Sequence, residues 1–324
     1  MSKRIWPNLF IVGTYKAGTT SLYEYLKQVP RVYMSPEKEP SFFCPNINRV
    51  LLSDPNWSKL NFRDKLKWTV EARYLKLFEG VKDEKVVGEA TPAYLHDPEA
   101  AELIHAVVPH TRIIIILRNP IERAFSGYLM GIRYGRRKLS FEDAIMLEYR
   151  NILQDSILPG GTKIRWYPLI DHGFYSEAVQ RYLRIFGSDK VKILIYEEFF
   201  KDIQKEFPEI IRFLGLKDSN VSLDHFTKKH NTFGLPRGGM GRWYTEFANN
   251  KTIVRVLYKL PVPLRSAIRK MYFWPRDSFL LNKSSKPEIT QETRTFLRKI
   301  YRQDVEQMEN ILGRRLPWPD FHMA

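Results

Sequence analysis

Short apolar runs along the chain are separated by longer stretches with helical spacing, the pattern of alternating strands and helices. Residues 9–12, Leu-Phe-Ile-Val, are continuously apolar and β-prone and predict a buried strand. Gly13 to Gly18 reads as a glycine-bounded loop, and Thr19, Thr20 and Ser21 open a helical pattern carrying Leu22, Tyr23, Tyr25 and Leu26. Further strands are predicted at 31–34, 86–89, 112–117 and 191–196, with 112–117 the most hydrophobic of them. Helices are predicted at 68–78, with Val70, Tyr74, Leu75 and Phe78 on the apolar side, and at 98–108, from Pro120, and at 140–153. Three more are predicted at 173–186, 208–214 and 290–312, the last ended by Gly313. This alternation predicts an α/β fold, a P-loop-like three-layer sandwich with a central parallel sheet of about five strands flanked by helices. No internal repeat, low-complexity linker or composition shift marks a boundary, so residues 1–324 are read as a single domain.

A strand, a glycine loop and a helix start together make an anion cradle, because backbone N–H groups and the positive end of the helix dipole converge where the loop turns. The stretch invites comparison with the nucleotide-binding P-loop, G-x-x-x-x-G-K-[ST]. Gly13 and Gly18 have that spacing and Thr20 falls on the Ser/Thr position, but Thr19 stands where the lysine belongs and Lys16 lies inside the loop. A lysine after the second glycine reaches β- and γ-phosphates. One in the middle of the loop reaches the group attached to a terminal 5′-phosphate. The strand 112–117 ends in Arg118 rather than the aspartate that holds Mg²⁺ in a P-loop kinase. Pro120 suits a helix N1 position, and Ser126, about two turns in, can face the same anion as Arg118. The segment 35–43, Ser-Pro-Glu-Lys-Glu-Pro-Ser-Phe-Phe, predicts an irregular, buried stretch just past a strand end. On the residues alone, Glu39 reads there as an exposed loop carboxylate paired with Lys38.

The loop and the arginine-to-serine spacing resemble the 5′-phosphosulfate loop and the 3′-phosphate clamp of the sulfotransferases that use 3′-phosphoadenosine 5′-phosphosulfate (PAPS). Lys38-Glu39 followed by Phe42-Phe43 resembles the segment that supplies the catalytic base in the heparan-sulfate-type carbohydrate members. The resemblance implies a metal-independent, in-line transfer of a sulfuryl group from PAPS to a hydroxyl or amine of a carbohydrate or other small-molecule acceptor, leaving PAP. It implies Lys16 and Glu39 as catalytic residues, and Tyr15, Lys16, Ala17, Gly18, Thr19, Thr20 and Ser21 as the phosphosulfate cradle. Arg118 and Ser126 would hold the 3′-phosphate, and Arg237 and Gly238 partly match a basic loop that closes over it. Ala90 departs from the heparan-type pattern, which often has lysine there. Glu37 and His96 stand as alternative bases. Two other classes remain open: a P-loop small-molecule kinase and a non-catalytic polyanion-binding protein.

Composition narrows the partners further. A net charge of +16 favours an acidic partner, but the basic residues are scattered among many acids and no nucleic-acid signature accompanies them. The expected acceptor is a small molecule, a glycan or a carrier-bound group. The basic amphipathic stretch 251–274, broken by Pro261 and Pro263, is read as packed on the core, with peripheral membrane contact or an acidic acceptor as alternatives. The single Cys44 excludes an intrachain disulfide and any multi-cysteine metal site. With no signal-like start and no apolar run long enough to cross a bilayer, a cytoplasmic location is expected.

Overall fold

The computed structural model describes residues 4–44, 71–133, 139–153, 168–216 and 287–322, with the dipeptides 235–236 and 281–282. The expected features at Arg237, Gly238 and 251–274 lie outside these residues. Five parallel strands form the central sheet in the order β2-β3-β1-β4-β5. They are β1 (Leu9–Gly13), β2 (Val32–Met34), β3 (Val86–Ala90), β4 (Arg112–Leu117) and β5 (Val191–Ile195). Leu235–Pro236 and Leu281–Asn282 pair separately and antiparallel.

The apolar runs are continuous because the sheet is covered on both faces. Leu9 and Ile11 of β1 and Ile114 and Ile116 of β4 pack on one side, with Leu22, Tyr25 and Leu26 of α1 (Thr19–Leu26). Phe10, Val12, Ile113, Ile115 and Leu117 face the other side. There they meet α2 (Ala100–Val107), α3 (Pro120–Arg133), α4 (Phe141–Leu153) and α5 (Ser176–Phe186). Helix α6 (Ile203–Phe213) joins the first layer and α7 (Gln291–Leu312) the second. The result is the expected three-layer sandwich. Truncating a fully buried core residue such as Ile114 to Ala is expected to destabilise it by about 2–5 kcal/mol.

Three expected boundaries move, each for a local reason. Helix α6 begins at Ile203 rather than 208, because the Asp202 carboxylate accepts the Lys205 N–H at 3.1 Å. Pro208 therefore lies inside the helix, where burial of Phe207, Ile210 and Ile211 offsets its missing N–H. Helix α5 begins at Ser176 rather than 173, because the Asp304 carboxylate on α7 accepts the N–H groups of Tyr175 (2.7 Å) and Ser176 (3.0 Å). Of the helix expected at 68–78, the described part is a short helix Glu71–Leu75 followed by a 3-10 turn Lys76–Phe78. Gly313 ends α7 as expected, in the left-handed conformation, while Thr290, expected as the first helical residue, is the N-cap and accepts the Thr293 N–H.

The turn just before α5 is clamped from three sides. The buried Glu148 carboxylate on α4 accepts the amides of Leu169 (2.7 Å) and Ile170 (3.0 Å). The buried Arg123 guanidinium on α3 donates to the carbonyls of Pro168 and Leu169, and the Tyr301 hydroxyl donates to Ile170 O at 2.9 Å. Among the described residues no helix is long and apolar enough to cross a membrane.

Candidate functional site

All five strands are parallel, so the loops after them meet at one edge of the sheet. The connection leaving β1 runs toward β2, and the one leaving β4 runs toward β5 on the opposite side. The crevice between β1 and β4 is thus the point where the winding reverses, the usual ligand position in open α/β sheets. The loop after β1 and Arg118 after β4 both open into it.

The loop's shape follows from its glycines. A Cβ on Gly13 would lie 2.5 Å from Leu95 Cβ, so only glycine lets β1 end against the segment after β3. Lys16 and Gly18 adopt left-handed backbone (φ 69° and 91°), and these two residues turn the chain into α1. A Cβ on Gly18 would meet the Phe200 ring at 2.5 Å. Gly18 is the N-cap of α1, with no side-chain cap and no acidic residue in the first turn. The amides around Thr19, Thr20 and Ser21 are left to an outside acceptor.

Cations converge on this loop. Arg118 donates to Lys16 O at 3.1 Å, its guanidinium lies 4.5 Å from the Tyr196 ring centre, and its buried Nε has no hydrogen-bond partner among the described residues. The Lys16 ammonium hydrogen-bonds to the sulfur of Met130 at 3.3 Å. Burial lowers its pKa from 10.5 to about 8; Arg118, Arg133 and Lys38 push the same way, and Glu39 opposes them. Ser126 lies on α3, whose N-terminus is capped by the Asn119 side chain accepting the Ile121 and Glu122 amides at 3.0 and 3.4 Å. Met130 and Arg133 follow Ser126 by four and seven residues and so share its side of the helix. That spacing gathers the three on one face of α3, but nothing in it points to Lys16; the Met130 contact and the Arg133 charge beside the ammonium are what tie them to the loop.

The candidate bases separate clearly. The segment 35–43, expected to be buried, is buried only in part, and Glu39 stands on its exposed side as the residues alone suggest. Its side chain is 38% exposed and ion-paired to Lys38. Its backbone is left-handed (φ 62°), and its amide N–H donates to Ala90 O at 3.0 Å. The burial falls instead on Phe42 and Phe43. Glu37 is half-buried, and its carbonyl accepts the Ser35 hydroxyl at 2.7 Å. His96 is turned inward: its Nε2 lies 3.2 Å from Thr14 Oγ1, and its ring stacks on His172 at 4.4 Å. His172 in turn stacks on Tyr15 at 5.5 Å. Burial, with the charges of Arg123 and Arg181, pushes His96 down to about 3, so it is held neutral beneath the loop.

Glu89, at the end of β3, is a carboxylate the sequence offers no reason to single out. It is fully buried and accepts the hydroxyls of Tyr74 (2.9 Å), Tyr94 (2.8 Å) and Thr91 (2.7 Å). Burial pushes it up to about 7, while the three hydroxyls and Lys38 favour its ionised form.

The chain is similar to known proteins over most of its length. A family model described as "Sulfotransferase family" matches residues 7–220. Human heparan sulfate glucosamine 3-O-sulfotransferase 6 is 28% identical over 236 residues, 73% of this chain and 58% of that protein. Human carbohydrate sulfotransferase 15 is 25% identical over 261 residues, 66% of this chain and 44% of that protein. The chain thus spans about half the length of the curated relatives it matches. Among solved structures, a sulfotransferase from Alicyclobacillus acidocaldarius superposes with a TM-score of 0.63 at 28% identity, covering 96% of this chain and 98% of that one.

Proposed function

The chain belongs to the sulfotransferase family, and we propose that it is an enzyme moving a sulfuryl group from PAPS to an acceptor hydroxyl or amine. The observation that carries this reading is Lys16. A half-buried, largely desolvated ammonium at the crown of a glycine loop, bonded to a thioether and repelled by two guanidiniums, is best satisfied by a strongly anionic group beside it. PAPS supplies an activated sulfuryl group on a bridging oxygen and two separate phosphates. The residues present fit such a molecule: the open first turn of α1 suits the 5′-phosphate, and Arg118 Nε, which has no partner among the described residues, suits the 3′-phosphate together with Ser126.

In this reading Glu39 accepts the proton of the acceptor hydroxyl as the new O–S bond forms, and the bridging S–O bond breaks in line with it. Lys16 and the loop amides stabilise the charge gathering on the bridging and terminal oxygens, and PAP leaves. The two relatives named above are a heparan sulfate glucosamine and a carbohydrate sulfotransferase, which favours a glycan hydroxyl as acceptor. We read the whole chain as one domain built for this reaction.

A P-loop kinase would need a lysine after Gly18 and a carboxylate at the end of β4, where Thr19 and Arg118 stand. The deciding experiment is thermal stabilisation by PAP, adenosine 5′-phosphosulfate and ATP with Mg²⁺, side by side. A large shift with PAP, smaller with the phosphosulfate and absent with ATP, is expected, followed by sulfate transfer from PAPS to a heparan-type oligosaccharide. A shift with ATP alone, or with none of the three, overturns the proposal.

A further inference from the structure

Ser41, Phe42 and Phe43 follow Glu39 after a single proline, and each is held by a different neighbour. Thr91 Oγ1 accepts the Ser41 amide N–H at 3.4 Å. The Tyr74 ring stacks on Phe42 with centroids 4.2 Å apart and planes 12° apart. The Tyr94 hydroxyl oxygen accepts the Phe43 amide N–H at 3.3 Å. Thr91 and Tyr94 lie on the turn that follows β3 and Tyr74 on the short helix before it; Thr91, Tyr74 and Tyr94 all donate their hydroxyls to Glu89, at 2.7, 2.9 and 2.8 Å respectively.

The direction of those bonds matters. A hydroxyl has one proton and two lone pairs, and an ionised carboxylate only accepts. With their protons committed to Glu89, the oxygens of Thr91 and Tyr94 present lone pairs, and these meet the Ser41 and Phe43 amides. One buried carboxylate thereby fixes the polarity of two hydroxyls and the placement of a ring against three successive residues. Glu39 itself is tied to the residue after Glu89 through Ala90 O. We propose that Glu89 is a positioning residue for Glu39: it orients Thr91, Tyr74 and Tyr94, which hold the segment Ser41–Phe43 and so fix where the Glu39 carboxylate stands. It touches no reacting atom and, being fully buried, acts only through its neighbours. This rests on the reading of Glu39 as the base.

The test uses the full chain with Glu89→Gln, Tyr94→Phe and Glu39→Gln. An amide in place of the carboxylate loses an acceptor oxygen and turns a donor toward one of the hydroxyls, so the orientation fails. Hydrogen exchange of the segment 35–44 is expected to quicken by about tenfold in Glu89→Gln, while exchange at 13–22 and PAP affinity stay within about twofold. Transfer from PAPS to a heparan-type oligosaccharide is expected to fall about tenfold or more in kcat, with KM for PAPS unchanged. A merely structural role would weaken PAP binding and both loops together, and that result, or unchanged exchange at 35–44, overturns the proposal. If Glu89→Gln does not fold, Tyr94→Phe, which deletes the acceptor for the Phe43 amide, carries the same test on the same readouts. Glu39→Gln separates the two readings. Should it retain full transfer, Glu39 is not the base; should it lose transfer while Glu89→Gln keeps it, the positioning role fails and the base stands.

Discussion

The loops after β1 and β2 stand at the same edge of one sheet and are stabilised in opposite ways. The loop after β1 buries its charge: Lys16 is desolvated, and its neighbours Arg118, Arg133 and Lys38 all repel it. The loop after β2 exposes its charge and anchors itself through its apolar end, with Glu39 at the surface and Phe42, Phe43 and, beneath them, Glu89 inside. The first is electrostatically incomplete until an anion arrives. The second is complete as it stands, its hydrogen bonds and ring contacts closed among Thr91, Tyr74 and Tyr94. Binding energy from an anionic donor should therefore appear almost wholly at the first loop, while accuracy of proton removal should depend on packing at the second.

The sharpest way to break this contrast is at Lys16. Lys16→Ala is expected to lower turnover by a factor on the order of 10² to 10³ while weakening PAP only about tenfold, as steady-state kinetics beside calorimetry will read. Unchanged turnover would strip the first loop of its catalytic role. Next in size, Arg118→Ala should weaken PAP by about tenfold to a hundredfold and leave adenosine 5′-phosphosulfate nearly unaffected. Equal losses for both ligands would sink the assignment of Arg118 to the 3′-phosphate.

The pH dependence of PAP affinity follows from the sign of the Lys16 shift. Its pKa is lowered to about 8 in the free protein, and a bound anion favours the charged form, so binding takes up a proton once pH passes that value. The protonated fraction falls from ~0.9 at pH 7 to ~0.1 at pH 9, so affinity should fall about tenfold over that interval. Lys16→Arg should flatten the profile; a profile already flat in the wild type would contradict the desolvated lysine. The smallest effect expected is from Gly18→Ala, which places a Cβ at positive φ against Phe200. It should destabilise the fold by about 1–3 kcal/mol, read as a drop of a few degrees in Tm.

Most of the frame was legible because its signals are local. The apolar run 9–12, the spacing of Gly13 and Gly18, the helix start at Pro120 and the helix end at Gly313 each act within a few residues, and each stands where the sequence places it. What escaped is set by contacts across the chain. Asp304 starts α5 from 128 residues away, and Met130 meets Lys16 from 114 residues away. No pattern within a helix turn encodes such pairings. Glu39 shows the same limit: two prolines and two phenylalanines imply burial for the whole segment, and only the packing of Tyr74 on Phe42 decides which side chains go in and which stays out. Glu89 was illegible for the complementary reason, since three hydroxyl donors converge on it only after β3, the segment 92–95 and the helix at 71–75 have packed together.

The ring stack beneath the first loop gives the protein a built-in reporter. Tyr15 lies next to Lys16 in sequence and face to face with His172, which lies face to face with His96. Histidine ring protons resonate apart from most of a protein's spectrum, and this chain has 7 histidines in all. Burial lowers the pKa of both stacked imidazoles and holds them neutral, so their signals answer to geometry rather than to pH. Any molecule that shifts Tyr15 as it seats against Lys16 must alter the ring current felt by His172, and a one-dimensional proton spectrum would register occupancy of the loop without label, substrate or turnover.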